Sequence, residues 1–259
     1  MKENWIQQAA DALWESAQTT IPIEPISGEY RELGIPDAYA IQLQNIQRRL
    51  EDGRVITGKK IGLTSKPVQE MLGVDQPDFG HLLDDMEAVD GVIQRDRLVK
   101  PRVEGEIAFV LKDDVQGPDA TVEEVLAATE YVSAAIEIVD SRIRDWKIGI
   151  VDTVADNASS ALYVLGDKKV DPNTIDLTTV KMDLYQNGEF INSGTGAAVL
   201  GNPAYCVAWL ANALWDYGVI LKKGEVILSG ALSAMVFAES GDTFVAEFDM
   251  LGSASIRFE

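Results

Sequence analysis

Cysteine, histidine and positive charge are all scarce in this chain, and each shortage removes a class of function. The single cysteine, Cys206, leaves no internal disulfide to staple the fold. The single histidine, His81, cannot by itself build a histidine-based zinc site, and Ser-His-Asp or Cys-His machinery would have to pass through that one imidazole. We read His81 as a structural or rim residue. Lys and Arg number 22 against 42 Asp and Glu, a formal net charge of −20. A nucleic-acid backbone or an anionic membrane surface is therefore repelled overall, and a small anionic ligand needs a local cationic site. Long hydrophobic runs are missing as well. The longest apolar stretch, Ala204 to Trp215, contains Asn212 and is short for a bilayer, and Met1 to Gln8 lacks the apolar segment of a signal peptide. The expected location is cytoplasmic, with neither membrane nor nucleic acid as partner.

What is present suffices for a large core. The 259 residues are 46% hydrophobic, enough for one main domain with a small N-terminal addition. Trp5, Ala9, Ala12, Leu13, Trp14 and Ala17 recur at helical spacing over residues 4–18. After an extended Pro22-Ile23-Glu24-Pro25 connector, Pro36 opens a second helix that stops near Gly53. These helices form an N-terminal helical portion, 1–54, ahead of a strand-rich portion, 55–259. Val55 to Ser65 reads as a strand in which Lys59 and Lys60 face opposite ways, one inward and one wet. Ser65 caps a helix ending at Gly73, and Val74 to His81, full of turn residues, reads as a loop carrying Asp78. Thr121 and Glu124 form a capping box, Asn187-Gly188 signals a hairpin, and Pro203 to Tyr217 reads as a buried helix.

The stretch Pro101 to Leu111 is the chemically informative one. In a strand, Glu104 and Glu106 share a face that continues with Ala108 and Val110, so two carboxylates enter an apolar surface together. Burying both unpaired costs several kcal/mol, roughly, and a cation relieves it; a hydrated strand edge is the plain alternative. Gly105 between them leaves room for a close approach. Glu137, set among Ala134, Ala135, Ile136, Ile138 and Val139, also wants a partner, either a cation site or an ion pair with Arg142. With histidine nearly absent, oxygen ligands and a hard metal are the natural pairing.

Several ordered blocks resemble one family. Gly58-Lys59-Lys60-Ile61-Gly62-Leu63-Thr64-Ser65, Gly73 to Gly80, Val103 to Phe109, Glu137 to Arg142 and Val154-Ala155-Asp156-Asn157-Ala158-Ser159 are similar to the motifs of the 2-oxopent-4-enoate (2-hydroxypenta-2,4-dienoate) hydratases of the fumarylacetoacetate hydrolase superfamily. The resemblance implies an α+β fold, a mixed β-sheet roll with flanking helices and an N-terminal helical portion. It implies a metal set of Glu104, Glu106 and Glu137 for Mg²⁺ or Mn²⁺, with Lys60 and Asp78 as catalytic residues and Lys60 and Ser159 on the substrate carboxylate. Near the metal, Lys60 is expected to have a lowered pKa. The implied reaction is hydration of the dienoate to 4-hydroxy-2-oxopentanoate in meta-cleavage catabolism of aromatic compounds. A homo-oligomer, and a complex with the pathway decarboxylase that makes the unstable substrate, are implied partners. The alternatives are that decarboxylase itself, acting on 2-oxohex-3-enedioate (4-oxalocrotonate), a hydratase for a longer dienedioate, and a non-enzymatic acidic metal-binding protein. Leu228-Ser229-Gly230-Ala231-Leu232 is hydratase-like, where the decarboxylases tend to have Thr-Gly-Gly.

Overall fold

Helix boundaries fall where the capping chemistry puts them. A computed structural model describes residues 2–259, with helices α1 (Lys2–Thr19), α2 (Ile26–Glu29), α3 (Ile35–Glu51), α4 (Lys66–Leu72), α5 (Val122–Ala128), α6 (Ile150–Ala155) and α7 (Pro203–Trp215). The Ser65 hydroxyl accepts from the Val68 N–H to start α4, and Gly73 ends it in the left-handed region. Thr121 and Glu124 close the expected capping box on α5. The apolar segment Gly196–Trp215, which ends in α7, is long and apolar enough to cross a bilayer, but half of it is buried in the fold, with Val207, Leu210 and Leu214 in the core.

The strands are β1 (Ile56–Gly62), β2 (Asp78–Leu83), β3 (Val92–Ile93), β4 (Arg102–Leu111), β5 (Thr129–Val139), β6 (Ser160–Leu165), β7 (Lys181–Gln186), β8 (Glu189–Thr195), β9 (Val226–Ala231), β10 (Val236–Phe237), β11 (Thr243–Phe248) and β12 (Gly252–Phe258). They form two mixed sheets. The larger has the order β2-β1-β9-β4-β5-β6, with β10 also on β4, and the smaller has the order β3-β12-β11-β7-β8. The larger sheet curls until its ends meet: Tyr163 donates to the Met86 carbonyl and Ala88 to the Tyr163 carbonyl, just beyond β2. The result is the mixed roll expected for this α+β chain. Ala108, Val110, Ala135, Tyr163, Val226 and Leu228 share one buried cluster inside it. Val103, Ile107 and Phe109, on the opposite face of β4, belong to a second cluster with Phe244, Ala246 and Met182 of the smaller sheet, and with Leu13, Tyr39 and Ile41 of α1 and α3. The two sheets pack so closely that a Cβ at Gly105 would lie 2.9 Å from the Met182 methyl.

Two expectations fail here for identifiable reasons. Residues 78–81 are not loop but the start of β2, antiparallel to β1 with Lys60 opposite Gly80 and Gly62 opposite Asp78. Every residue of β2 is buried, so no alternation marks it, and its Asp and Gly look like turn residues. Lys59 is not wet. It is 3% exposed, and its ammonium lies 2.7 Å from both carboxylate oxygens of Glu225, beside the first residue of β9. Adjacent lysines do face opposite ways, yet both faces of β1 are covered.

Candidate active site

Seven residues near the strand ends define one mouth of the roll: Gly62 on β1, Asp78 on β2, Glu104 and Glu106 on β4, Glu137 on β5, Ser160 on β6 and Gly230 on β9. The β4–β5 register sets Glu104 directly opposite Glu137, with Glu106 one step further in opposite Ala135. One carboxylate oxygen from each of Glu104, Glu106 and Glu137 lies within 4.8 Å of the others, a group that could hold a metal ion. Glu106 and Glu137 are buried and Glu104 is partly so. Glu106 Oε2 accepts the Gly230 N–H at 2.8 Å, whereas both oxygens of Glu137 are buried with no hydrogen-bond donor among the described residues.

Crowded carboxylates resist ionisation together. Burial, reinforced by the charge on Glu137, pushes Glu104 up to about 7. Glu106 is raised well above the usual carboxylate range by burial and by Glu137 and Glu104. Glu137 is raised by burial too, against the pull of Lys60, whose ammonium lies 3.4 Å from Glu137 Oε1. For Lys60, burial pulls down, but Glu137, Asp78, Glu104 and Glu106 outweigh it and the net direction is up. The lowering expected from sequence was for a lysine beside a bound cation; the carboxylates alone act on Lys60 in the other direction.

Lys60 and Asp78 meet above Gly62. A Cβ there would lie 2.3 Å from Asp78 Oδ1 and 3.1 Å from the Lys60 ammonium, so only glycine admits the pair. Thr153 donates its hydroxyl to Asp78 Oδ2, and Oδ1 is buried without a donor. Lys60 donates to the Ala158 carbonyl at 2.9 Å. That carbonyl is presented by an unusual turn in which Asn157, Ala158 and Ser159 all have φ between 51° and 53°. The Asn157 side chain holds the turn by bonding both the N–H and the carbonyl of His81, as a neighbouring strand would. A Cβ at Gly80 would come within 2.4 Å of the Asn157 carbonyl. Ser159 is buried in this turn with its hydroxyl 3.4 Å from Asp156 Oδ2. Arg142 pairs with Asp156, which removes the Arg142 ion pair offered for Glu137; the cation beside Glu137 is Lys60.

His81 is held away from the carboxylates. Its Nδ1 lies 2.8 Å from Gln42 Oε1, and Gln42 Nε2 donates to the carbonyls of Phe79 and Val154, so Oε1 is an acceptor and Nδ1 carries the proton. Burial, helped by the Lys59 charge, lowers its pKa to about 3. Sequence reading assigned no part to Gly62, Thr153, Asn157 or the Gly230 N–H. Gly62, Asn157 and Gly230 entered only as members of the blocks that carry the resemblance.

Comparison with known proteins agrees with this architecture. The family described as Fumarylacetoacetate (FAA) hydrolase C-terminal matches residues 66–259. The chain is 48% identical over 259 residues to the 2-hydroxyhexa-2,4-dienoate hydratase of Comamonas testosteroni, covering 99% of this chain and 98% of that one. It is 48% identical over 254 residues to the 2-keto-4-pentenoate hydratase of Paraburkholderia xenovorans (strain LB400), covering 98% and 94%. Among solved structures, the 4-oxalocrotonate decarboxylase from Pseudomonas putida G7, complexed with magnesium and adipate, superposes with a TM-score of 0.94 at 34% identity, covering 100% of this chain and 98% of that one.

Proposed function

This chain belongs to the fumarylacetoacetate hydrolase family, and from that premise we propose that it is a metal-dependent hydro-lyase adding water to 2-hydroxypenta-2,4-dienoate to give 4-hydroxy-2-oxopentanoate. The observation that carries this reading is the convergence of three glutamates with Lys60 and Asp78 at one end of the roll. The donor set suits a hard divalent ion, because the two oxygens of Glu137 are buried without a hydrogen bond and three carboxylates already lie close together. Glu104, Glu106 and Glu137 would hold Mg²⁺ or Mn²⁺, which supplies positive charge to the oxygens of a 2-oxo acid.

The residues around that centre account for the proton movements. The reaction removes the C2 hydroxyl proton and places one on C5, giving 2-oxopent-3-enoate; water then adds its oxygen at C4, the electrophilic end of the enone, and C3 gains a proton. Asp78 Oδ1, which accepts no hydrogen bond, is the group free to take a proton. Lys60 carries one to give, and the Ala158 carbonyl fixes its position. Ser159 contributes its hydroxyl to the substrate carboxylate by giving up its long bond to Asp156. The reaction belongs to the meta-cleavage catabolism of aromatic compounds in the cytoplasm. The enzyme works as a homo-oligomer, associated with the decarboxylase that supplies its unstable substrate.

The direct test is ultraviolet absorbance of the conjugated dienoate with Mg²⁺-loaded protein. Steady loss of absorbance with appearance of 4-hydroxy-2-oxopentanoate is expected; an unchanged spectrum rejects the reading. Equal identity to a 2-hydroxyhexa-2,4-dienoate hydratase supports a second reading with one more carbon, and comparing kcat/KM on the two dienoates separates them. Decarboxylation of 2-oxohex-3-enedioate has the weaker support of 34% identity, and carbon dioxide release from that acid would reveal it.

A further inference from the structure

The strands of the roll carry three cations among the described residues: Lys59, Lys60 and Arg102. Lys59 is committed to Glu225 and Lys60 lies against Glu137. Arg102 has no carboxylate within ion-pair distance and its guanidinium donates no hydrogen bond to any described residue, although the chain carries an excess of acids. It is held by rings instead. Its guanidinium carbon lies 4.1 Å from the ring centre of Phe237, its cross-strand neighbour on β10, and 4.4 Å from that of Trp146. In the turn bearing Trp146, Asp145 and Trp146 lie at φ 56° and 57°, and the indole N–H bonds the Lys100 carbonyl at 3.0 Å. Stacking on aromatic faces fixes a guanidinium while leaving its outer N–H groups free, as an ion pair does not.

Arg102 lies two residues before Glu104 on β4, so the two share the inner face of the roll, with Arg102 at the rim and the carboxylates deeper in. Three glutamates and Asp78, set against Lys60 and a divalent ion, still leave the centre net negative. A carboxylate substrate approaching a chain of charge −20 is repelled at long range and needs one unneutralised cation at the entrance. We propose that Arg102 is the anion-recruiting residue of this site, a cation pinned between Trp146 and Phe237 at the mouth of the roll to draw in the substrate carboxylate. This rests on the reading of the centre as a 2-oxo acid hydratase. It makes Arg102 a binding residue and leaves the proton steps to Lys60 and Asp78.

The test uses full-length Mg²⁺-loaded protein and calorimetric titration with 2-oxopentanoate, a saturated acid that cannot be hydrated, beside its uncharged methyl ester. Arg102→Met keeps an apolar stem between the rings and removes the charge. At low salt it is expected to weaken 2-oxopentanoate binding at least fivefold, with the gap closing at 0.5 M salt and the ester unaffected. Arg102→Lys retains the charge and is expected to bind within twofold of the parent; should the methionine variant not fold, Arg102→Gln takes its place as the uncharged arm, with the same expected loss. Equal affinities in all three proteins, a gap that salt does not close, or a lysine variant as weak as the methionine one would each overturn the proposal. Turnover of the dienoate by the parent protein is measured in parallel. Its absence would reject the hydratase reading, while the titrations would still report on Arg102.

Discussion

Glutamine at position 106 keeps the shape of the side chain and removes one charge from a centre where three carboxylate oxygens crowd within 4.8 Å. Metal affinity and turnover of Glu106→Gln should therefore fall together, by tenfold or more on the order of other ligand losses, as seen by Mn²⁺ titration and the dienoate assay. Full activity of that variant after exhaustive chelation would exclude the metal role. Lys60 and Asp78 separate in D₂O. Deuterium should still enter C5 in whichever of Lys60→Ala and Asp78→Asn has lost only water addition, and near-parental hydration by both would remove them from the chemistry. His81 gives a pH signature of its own. Its folded pKa of about 3 lies below the 6.5 of an exposed imidazole, so between those values the unfolded chain binds the extra proton. The His81 contribution to stability should fall as pH drops through that window, by up to about 1.4 kcal/mol per unit, against the opposite trend of the raised Glu104, Glu106 and Glu137 carboxylates. His81→Asn should remove that contribution, so that the urea midpoint of the variant gains relative to the parent between pH 7 and 5; a constant difference would mean the imidazole is not the group responsible. The carboxylate pair of β4 was legible because a two-residue spacing fixes a shared face. The Asn157 contact to β2 was not, because its partner is 76 positions away in the chain.

Among the elements, the turn at Asn157 to Ser159 and the strand it leans on act as one part. Gly80→Ala would drive a methyl into the Asn157 carbonyl, where only 2.4 Å is available, and so displace the Ala158 carbonyl from Lys60. The expected result is a loss of about 1–3 kcal/mol in stability and a larger proportional loss in kcat than in substrate affinity, read by denaturant melts and steady-state kinetics. A variant with parental kcat would show that the turn does not position Lys60. Local chemistry announced both ends of α4 and the start of α5: Ser65, Gly73 and the Thr121-Glu124 box carry their reasons in adjacent residues. The hairpin did too, with Asn187 and Gly188 both at positive φ between β7 and β8. β2 stayed hidden because a strand covered on both sides shows no alternation, and the left-handed turn stayed hidden because tertiary hydrogen bonds, not intrinsic preference, hold Ala158 and Ser159 there.

For the whole molecule, the excess of acidic residues and the curled sheet set the behaviour. Screening the self-repulsion of a chain at −20 should raise the melting temperature modestly with added salt, and a melting temperature that falls over 0.05–0.5 M sodium chloride would contradict that. Light scattering at micromolar concentration should report a multiple of 28.3 kDa; a monomer would count against the homo-oligomer. The roll could be anticipated from resemblance, but its closure at Met86 and Tyr163 could not, since neither residue carries a local signal for that pairing. The β4–β5 pairing has a last consequence for how the chain folds. Because side chains alternate, slipping β4 by one residue would turn Glu104 and Glu106 out toward Met182 and Ala246 and bring Val103 and Gly105 inside. A misregistered chain could assemble no ion-binding trio, so metal present during refolding would act as a proofreader, drawing molecules out of the slipped population into the one alignment that can hold it.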